Sequence, residues 1–195
     1  MNWQDILYLR GGSPRQRHAY DAICAVQIVD LMSAFDPLLV GTIPLEIDIE
    51  SSDLDWIHYA TDLEQFAGSA RLQYENRRGF RDRFRTINGK ESYIANFEAE
   101  GFKFELFAQN CPVIQQRAYR HMVVEHRLLQ IGGEAARKAI RELKRGGMKT
   151  EPAFAQHFGI AGHDPYQDLL ELIQFEDVEL RKRVCNSSSF LHADS

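Results

Sequence analysis

Residues 37–58 read PLLVGTIPLEIDIESSDLDWIH. The apolar run Leu38-Leu39-Val40 ends in Gly41-Thr42; twelve residues after Gly41 comes Asp53, and Asp55 follows at i+2. In a strand, i and i+2 point to the same face. Two carboxylates so placed repel each other, and a cation between them removes that cost. Mg²⁺ suits the role, because it takes oxygen ligands and is held by one or two carboxylates together with substrate phosphates. A bare glycine turn beside a hydroxyl, as in Gly41-Thr42, lets a phosphate approach the backbone closely. The stretch therefore predicts one strand over 38–42 and a second over 53–59, with a metal–phosphate site where they meet.

Between those strands, Ile43, Leu45, Ile47 and Ile49 alternate with Glu46, Asp48 and Glu50, which predicts a half-buried strand or extended ribbon. Its acidic side either forms a solvated edge or adds to the metal field. Upstream, Ser13-Pro14 reads as an N-cap with proline at the first helical position. Apolar Ala19, Ile23, Val26, Leu31 and Phe35 carry that helix to Asp36-Pro37, where the residue before proline disfavours helix. Residues 3–10 suggest a shorter helix before it. Arg15, Arg17 and His18 are expected to face solvent.

Downstream, Asp62 is the expected N-cap of a helix to Tyr74. The stretch YENRRGFRDRFRTINGK, 74–90, interleaves Arg77, Arg78, Arg81, Arg83 and Arg85 with Phe80 and Phe84, and Asn88-Gly89 signals a hairpin. The arginines either bind a phosphate chain or nucleic-acid backbone, or form the exposed face of a strand whose phenylalanines point inward. Residues 92–109 read as two strands around Glu100-Gly101. In the second, FKFELFAQ, Phe102, Phe104 and Leu106 lie on one face and Lys103, Glu105 and Phe107 on the other.

After Cys111-Pro112 the pattern is helical: 113–131 closing at Gly132-Gly133, then 134–145, then a helix capped by Thr150 through about Phe158, with Pro152 in its first turn. Asp164-Pro165 starts a last helix to about Val184, and 185–195 are expected to be disordered. His121 and Glu125 share a helix face at i, i+4, either as metal ligands or as a structural polar contact. Lys149, just before a helix start, suits an anion.

Composition sets outer limits. The 195 residues are 44% hydrophobic and 26% charged, as in an ordinary globular protein. The net charge of −5 argues against non-specific nucleic-acid binding by the surface as a whole, although a local patch overrides it. Cys24, Cys111 and Cys185 have no metal-like spacing and fit free thiols in a reducing cytoplasm. No apolar run is long enough to cross a membrane, and the start, MNWQDILYLRGG, lacks a signal-peptide layout.

Gly41, Thr42, Asp53 and Asp55 resemble the signature of the nucleotidyltransferase superfamily related to DNA polymerase beta, in which a strand ending in Gly-Ser or Gly-Thr precedes Asp-x-Asp. GTIPLEIDIESSDLD, AYRHMVVEHRLL and KTEPAFA together resemble a family of bacterial proteins of unknown function thought to carry the same fold. The resemblance implies an α+β fold: a nucleotidyltransferase-like mixed sheet with flanking helices over 1–110, a helical region over 111–184 packed on it, and a tail over 185–195. It implies Asp53, Asp55 and a third carboxylate as ligands of Mg²⁺ (or Mn²⁺). Glu105 matches the pattern best, and Glu98 and Glu100 less well. It implies nucleotide contacts at Gly41, Thr42 and Ser52, with Arg120 or Lys149 on phosphate. The implied reaction moves a nucleoside monophosphate from a nucleoside triphosphate, ATP among them, to an acceptor hydroxyl on a small molecule, protein or RNA. Ile43-Pro44 stands where the superfamily has a basic residue, so the source of phosphate-neutralising charge stays open. The alternatives are a nucleotide-binding or sensory module without turnover, and an interaction protein using Arg77 to Arg85.

Overall fold

The computed structural model describes residues 2–188, with side chains to Val184. The chain divides into two compact units: the chain up to Glu46 with Ser51–Ala118, and Ile47–Glu50 with the chain from Tyr119. The division thus falls after residue 118 rather than 110. Local bonds explain both departures. The Gln116 amide donates to the His58 and Cys111 carbonyls at 2.8 and 2.9 Å, tying 111–118 to the sheet. Lys144 Nζ donates to the Ile47 carbonyl at 3.0 Å, tying 47–50 to the helices.

The first unit is a five-stranded mixed sheet with helices. Its strands are β1 (Leu38–Val40), β2 (Leu54–Tyr59), β3 (Arg78–Ile87), β4 (Lys90–Ala99) and β5 (Phe102–Gln109), in the order β1-β2-β5-β4-β3. β2 and β5 run parallel, and the other neighbours are antiparallel. α1 (Pro14–Val26) begins in a capping box: Ser13 Oγ accepts from Gln16 N, and Gln16 Oε1 accepts from Ser13 N. α3 (Leu63–Tyr74) is capped by Asp62, whose side chain accepts from Gln65 N at 3.0 Å. Ala19, Ile23 and Val26 from α1 and Phe66, Ala70 and Tyr74 from α3 are buried with Trp56, Tyr93, Phe97 and Phe104 on one sheet face. Tyr74, Phe97 and Phe104 stack in succession, with ring centroids 4.8 and 5.0 Å apart. At Asn88-Gly89 both residues have positive φ, 51° and 75°, the conformation a tight hairpin needs. Cys24 and Cys111 are free thiols.

Two expectations for this unit change. The helix to Phe35 breaks at Gln27, which adopts the left-handed conformation, and resumes as a single turn, α2 (Ile28–Leu31), then a 3-10 turn. Residues 43–49 form no strand; the chain bends at Gly41 and 42–46 are turns. Pro44 offers no ladder donor and Glu46 has φ of 57°, so the alternation reflects a loop tucking Ile43, Leu45 and Ile47 inward. Gln16 Nε2 pins this loop by donating to the Ile43 carbonyl at 2.9 Å.

The second unit comprises α4 (Arg117–Arg145), which begins two residues before the unit does, α5 (Thr150–Phe158), α6 (Pro165–Glu171) and α7 (Asp177–Ser188). α4 is broken at Gly133 (φ 62°, ψ −153°), where helical geometry is interrupted and then resumes. The single last helix expected over 166–184 is instead two, α6 and α7, separated by a 3-10 turn and extended Phe175. Arg127 holds that break by pairing with Asp177 at 2.6 Å and donating to the Phe175 carbonyl. Of the expected disordered tail, 185–188 are helical, and 189–195 lie outside the described residues. No helix among the described residues is long and apolar enough to cross a membrane.

Candidate active site

β1 pairs with β2 through Val40 opposite Asp55. The chain then turns at Gly41 with φ of 85°, a conformation that costs any side-chain-bearing residue. A Cβ at this position would lie 2.5 Å from Asp55 Oδ2. Glycine is therefore required twice, for the turn and to leave the Asp55 carboxylate its space. Thr42 Oγ1 donates to Ser52 Oγ at 3.1 Å, linking the two ends of the 43–51 loop.

Asp55 lies directly opposite Glu105 across the parallel β2–β5 pair. Residues opposite each other on neighbouring strands share a face, so the two carboxylates stand side by side on the face turned away from the Trp56–Phe104 core. Both are half-buried. Asp53 sits one residue before β2 begins rather than within it. Glu105 is in turn opposite Asn96 on β4, and Asn96 Nδ2 donates to Glu105 Oε2 at 3.0 Å. Asn96 was not among the residues singled out from the sequence. The available signal was an asparagine inside the apolar strand SYIANF, since asparagine is depleted in strands. The row ends at Arg81, opposite Asn96 on β3. Of the weaker carboxylates, Glu98 pairs with Arg78 at 2.8 Å, and Glu100 occupies the β4–β5 turn with φ of 51°.

The remaining predicted residues belong to the helical unit. Arg120 is half-exposed near the start of α4. Lys149 is exposed and is itself the N-cap of α5, with no side-chain capping bond; Thr150 is the first helical residue, not the cap. His121 and Glu125 both lie close to Glu151 within the helical unit. His121 Nδ1 lies 3.3 Å from Glu151 Oε1, and its Nε2 lies 2.9 Å from the Tyr166 carbonyl. Glu125 is only 3% exposed. Burial first, then the nearby Glu151 carboxylate, push its carboxyl up to about 8 against the opposing Lys144 ammonium. No group of three or more His, Cys, Asp or Glu side chains among the described residues is arranged to hold a metal. Of the three carboxylates expected, Asp55 and Glu105 are register partners and Asp53 lies one residue before β2. The chemistry of that pair suits a hard divalent cation: two adjacent oxygen donors beneath a turn kept open by glycine.

Residues 21–172 match the family described as Domain of unknown function (DUF4269). The chain belongs to the DUF4269 family. No curated protein matches it. The DUF4269 chain is similar to a structure of the GLD-2/RNP-8 complex, with 14% identity and a TM-score of 0.53, covering 93% of this chain and 81% of that one. It is also similar to the Cid1 poly(U) polymerase, with 11% identity and a TM-score of 0.51, covering 80% of this chain. A second Cid1 structure, described for its RNA terminal uridylyl transferase activity, matches at 9% identity with a TM-score of 0.50. The chain spans about half the length of the Cid1 chains, 49% and 48%. At these identities the likeness shows the fold, which is nucleotidyltransferase-like.

Proposed function

We propose that this chain transfers a nucleoside monophosphate from a nucleoside triphosphate to an acceptor hydroxyl, with release of pyrophosphate. The observation that carries the reading is the in-register Asp55–Glu105 pair beneath Gly41 on a nucleotidyltransferase-like sheet. The backbone at Gly41 and the hydroxyls of Thr42 and Ser52 receive phosphate oxygens. Asp53, Asp55 and Glu105 would hold Mg²⁺ (or Mn²⁺), which when bound offsets negative charge on the phosphates. The acceptor oxygen forms its bond to the α-phosphorus as the bond to the α,β-bridging oxygen breaks, and pyrophosphate leaves with that electron pair. Glu105 takes the proton from the acceptor hydroxyl. Asn96 donates to one Glu105 oxygen and so orients the other toward the reacting hydroxyl.

The test is calorimetric titration with each of the four nucleoside triphosphates, with and without Mg²⁺, on wild type and Asp55→Asn. Binding that needs both Mg²⁺ and Asp55 is the expected result. Failure of folded wild type to bind any of them refutes the transferase reading, and binding without pyrophosphate release, whatever the acceptor offered, reduces it to a nucleotide-binding module.

A further inference from the structure

The arginines of β3 have no part in the reaction above, yet the sheet register places them on the same face as its carboxylates. Asp55 lies opposite Glu105, Glu105 opposite Asn96, and Asn96 opposite Arg81. Side chains alternate along a strand, so Arg83 and Arg85 follow Arg81 on that face, spaced by about 7 Å. Arg83 Nη1 reaches Asn96 Oδ1 at 3.5 Å, while its Nε is buried without a partner. The Arg81 and Arg85 side chains are exposed and have no ion pair or hydrogen bond among the described residues. Two neighbouring arginines of this unit are by contrast neutralised, Arg71 by Asp82 at 2.6 Å and Arg78 by Glu98 at 2.8 Å. β3 is also the last strand of its sheet, so its outer edge is unpaired within the described sheet.

We infer that this row is a docking track for single-stranded nucleic acid, with the Arg81–Arg83–Arg85 guanidiniums on successive phosphates. The planar guanidinium fork suits phosphate oxygens, and regularly repeated cations suit a regularly repeated anion. The chain carries a net charge of −5, so the row is a local feature rather than a consequence of composition. Resting on the transferase reading, the terminal hydroxyl of the bound strand is the acceptor. A nucleic acid brings both the repeated phosphate and the hydroxyl that the Asp55–Glu105 pair requires, whereas an acidic peptide repeats the charge without a terminal hydroxyl.

The test is fluorescence anisotropy of a labelled single-stranded oligouridylate, without nucleotide or metal, so that its outcome is separate from that of the nucleotide titration. Wild type is expected to bind with log affinity falling against log salt at a slope of about −2, from roughly 0.7 per phosphate contact. Arg81→Glu/Arg85→Glu is expected to weaken binding at least about ten-fold at low salt and to flatten the slope by about 1.4. Arg81→Ala/Arg85→Ala is expected to fall between. Arg181→Glu/Lys182→Glu, an equal change in net charge on exposed residues of α7, is expected to bind like wild type. Absence of binding, or an unchanged slope in both β3 variants, overturns the inference, and the arginines then merely protect an edge strand from pairing. Displacement by polyglutamate as effective as by unlabelled oligouridylate overturns the choice of nucleic acid. Loss of triphosphate binding in the β3 variants with oligouridylate binding intact assigns the row to the nucleotide instead.

Discussion

The two units each hold carboxylates close to other charges, and they settle them in opposite ways. In the sheet unit, Asp55 and Glu105 stand side by side on a half-exposed strand face, with one Asn96 donor fixing one oxygen. In the helical unit, Glu125 is buried near Glu151, with Lys144 committed to the Ile47 carbonyl and His121 set against Glu151. Burial makes ionisation costly, so the second group keeps a proton in place of one negative charge. The first group stays near water, where a cation can reach it. Carboxylates close in space thus differ in whether a charged partner from solvent could reach them, and burial separates the two cases.

The sharpest break of this comparison is removal of the exposed pair. Asp55→Asn and Glu105→Gln are each expected to cut nucleotide turnover by about a hundred- to thousand-fold, the scale for losing one preorganised electrostatic group. Pyrophosphate release checks this, with circular dichroism to show that the fold is kept.

The next effect is on pH dependence, where the units should diverge. Folded Glu125 binds its proton up to about pH 8, whereas the unfolded chain releases it near 4.5. Between those values the folded state holds more protons, so this group lowers stability as pH rises, by up to about 1.4 kcal/mol per pH unit. His58 in β2 is the reverse. Burial lowers it to about 4, against the raising effect of its contact with the Phe107 carbonyl. Between pH 6.5 and about 4 the unfolded state holds more protons, so this group lowers stability as pH falls. Hydrogen exchange across a pH series should show α4 and α5 loosening on the alkaline side and β2 and β5 on the acid side. Glu125→Gln should flatten the first trend and leave the second.

A smaller effect is expected at Gly41. Alanine there combines positive φ with a Cβ against Asp55 Oδ2, and should cost about 1–2 kcal/mol in denaturant unfolding. It should also weaken Mg²⁺-dependent nucleotide binding, which alanine at Gly11, whose Cβ would meet nothing within 4 Å, should not. The smallest effect is Asn96→Ala. Loss of one hydrogen bond of about 1 kcal/mol predicts roughly a five-fold fall in turnover.

Local chemistry was readable in the chain. Ser13-Pro14 and Asp62 cap the helices they were expected to cap, and Asn88-Gly89 and Glu100-Gly101 turn where their composition says they should. In each case the decisive bonds join residues within three positions. Longer patterns were less secure. The alternation over 43–49 belongs to a loop, because a period of two records only which residues are inside and not whether their backbones pair. The periodic helix to Phe35 ignored Gln27, and the one long helix over 166–184 ignored the break held by Arg127.

The sequence by itself determined the glycine turn, the Asp53-x-Asp55 spacing and the parity that puts Glu105 opposite the apolar side of its strand. All of these follow from geometry within a few residues. Tertiary structure decided that Asp55 meets Glu105, that Asn96 and Arg81 extend the row, and that Glu125 is sealed from water. Strand register over fifty residues is set by how the whole sheet buries its apolar face, and a shift of one position would send every one of these side chains to the other side.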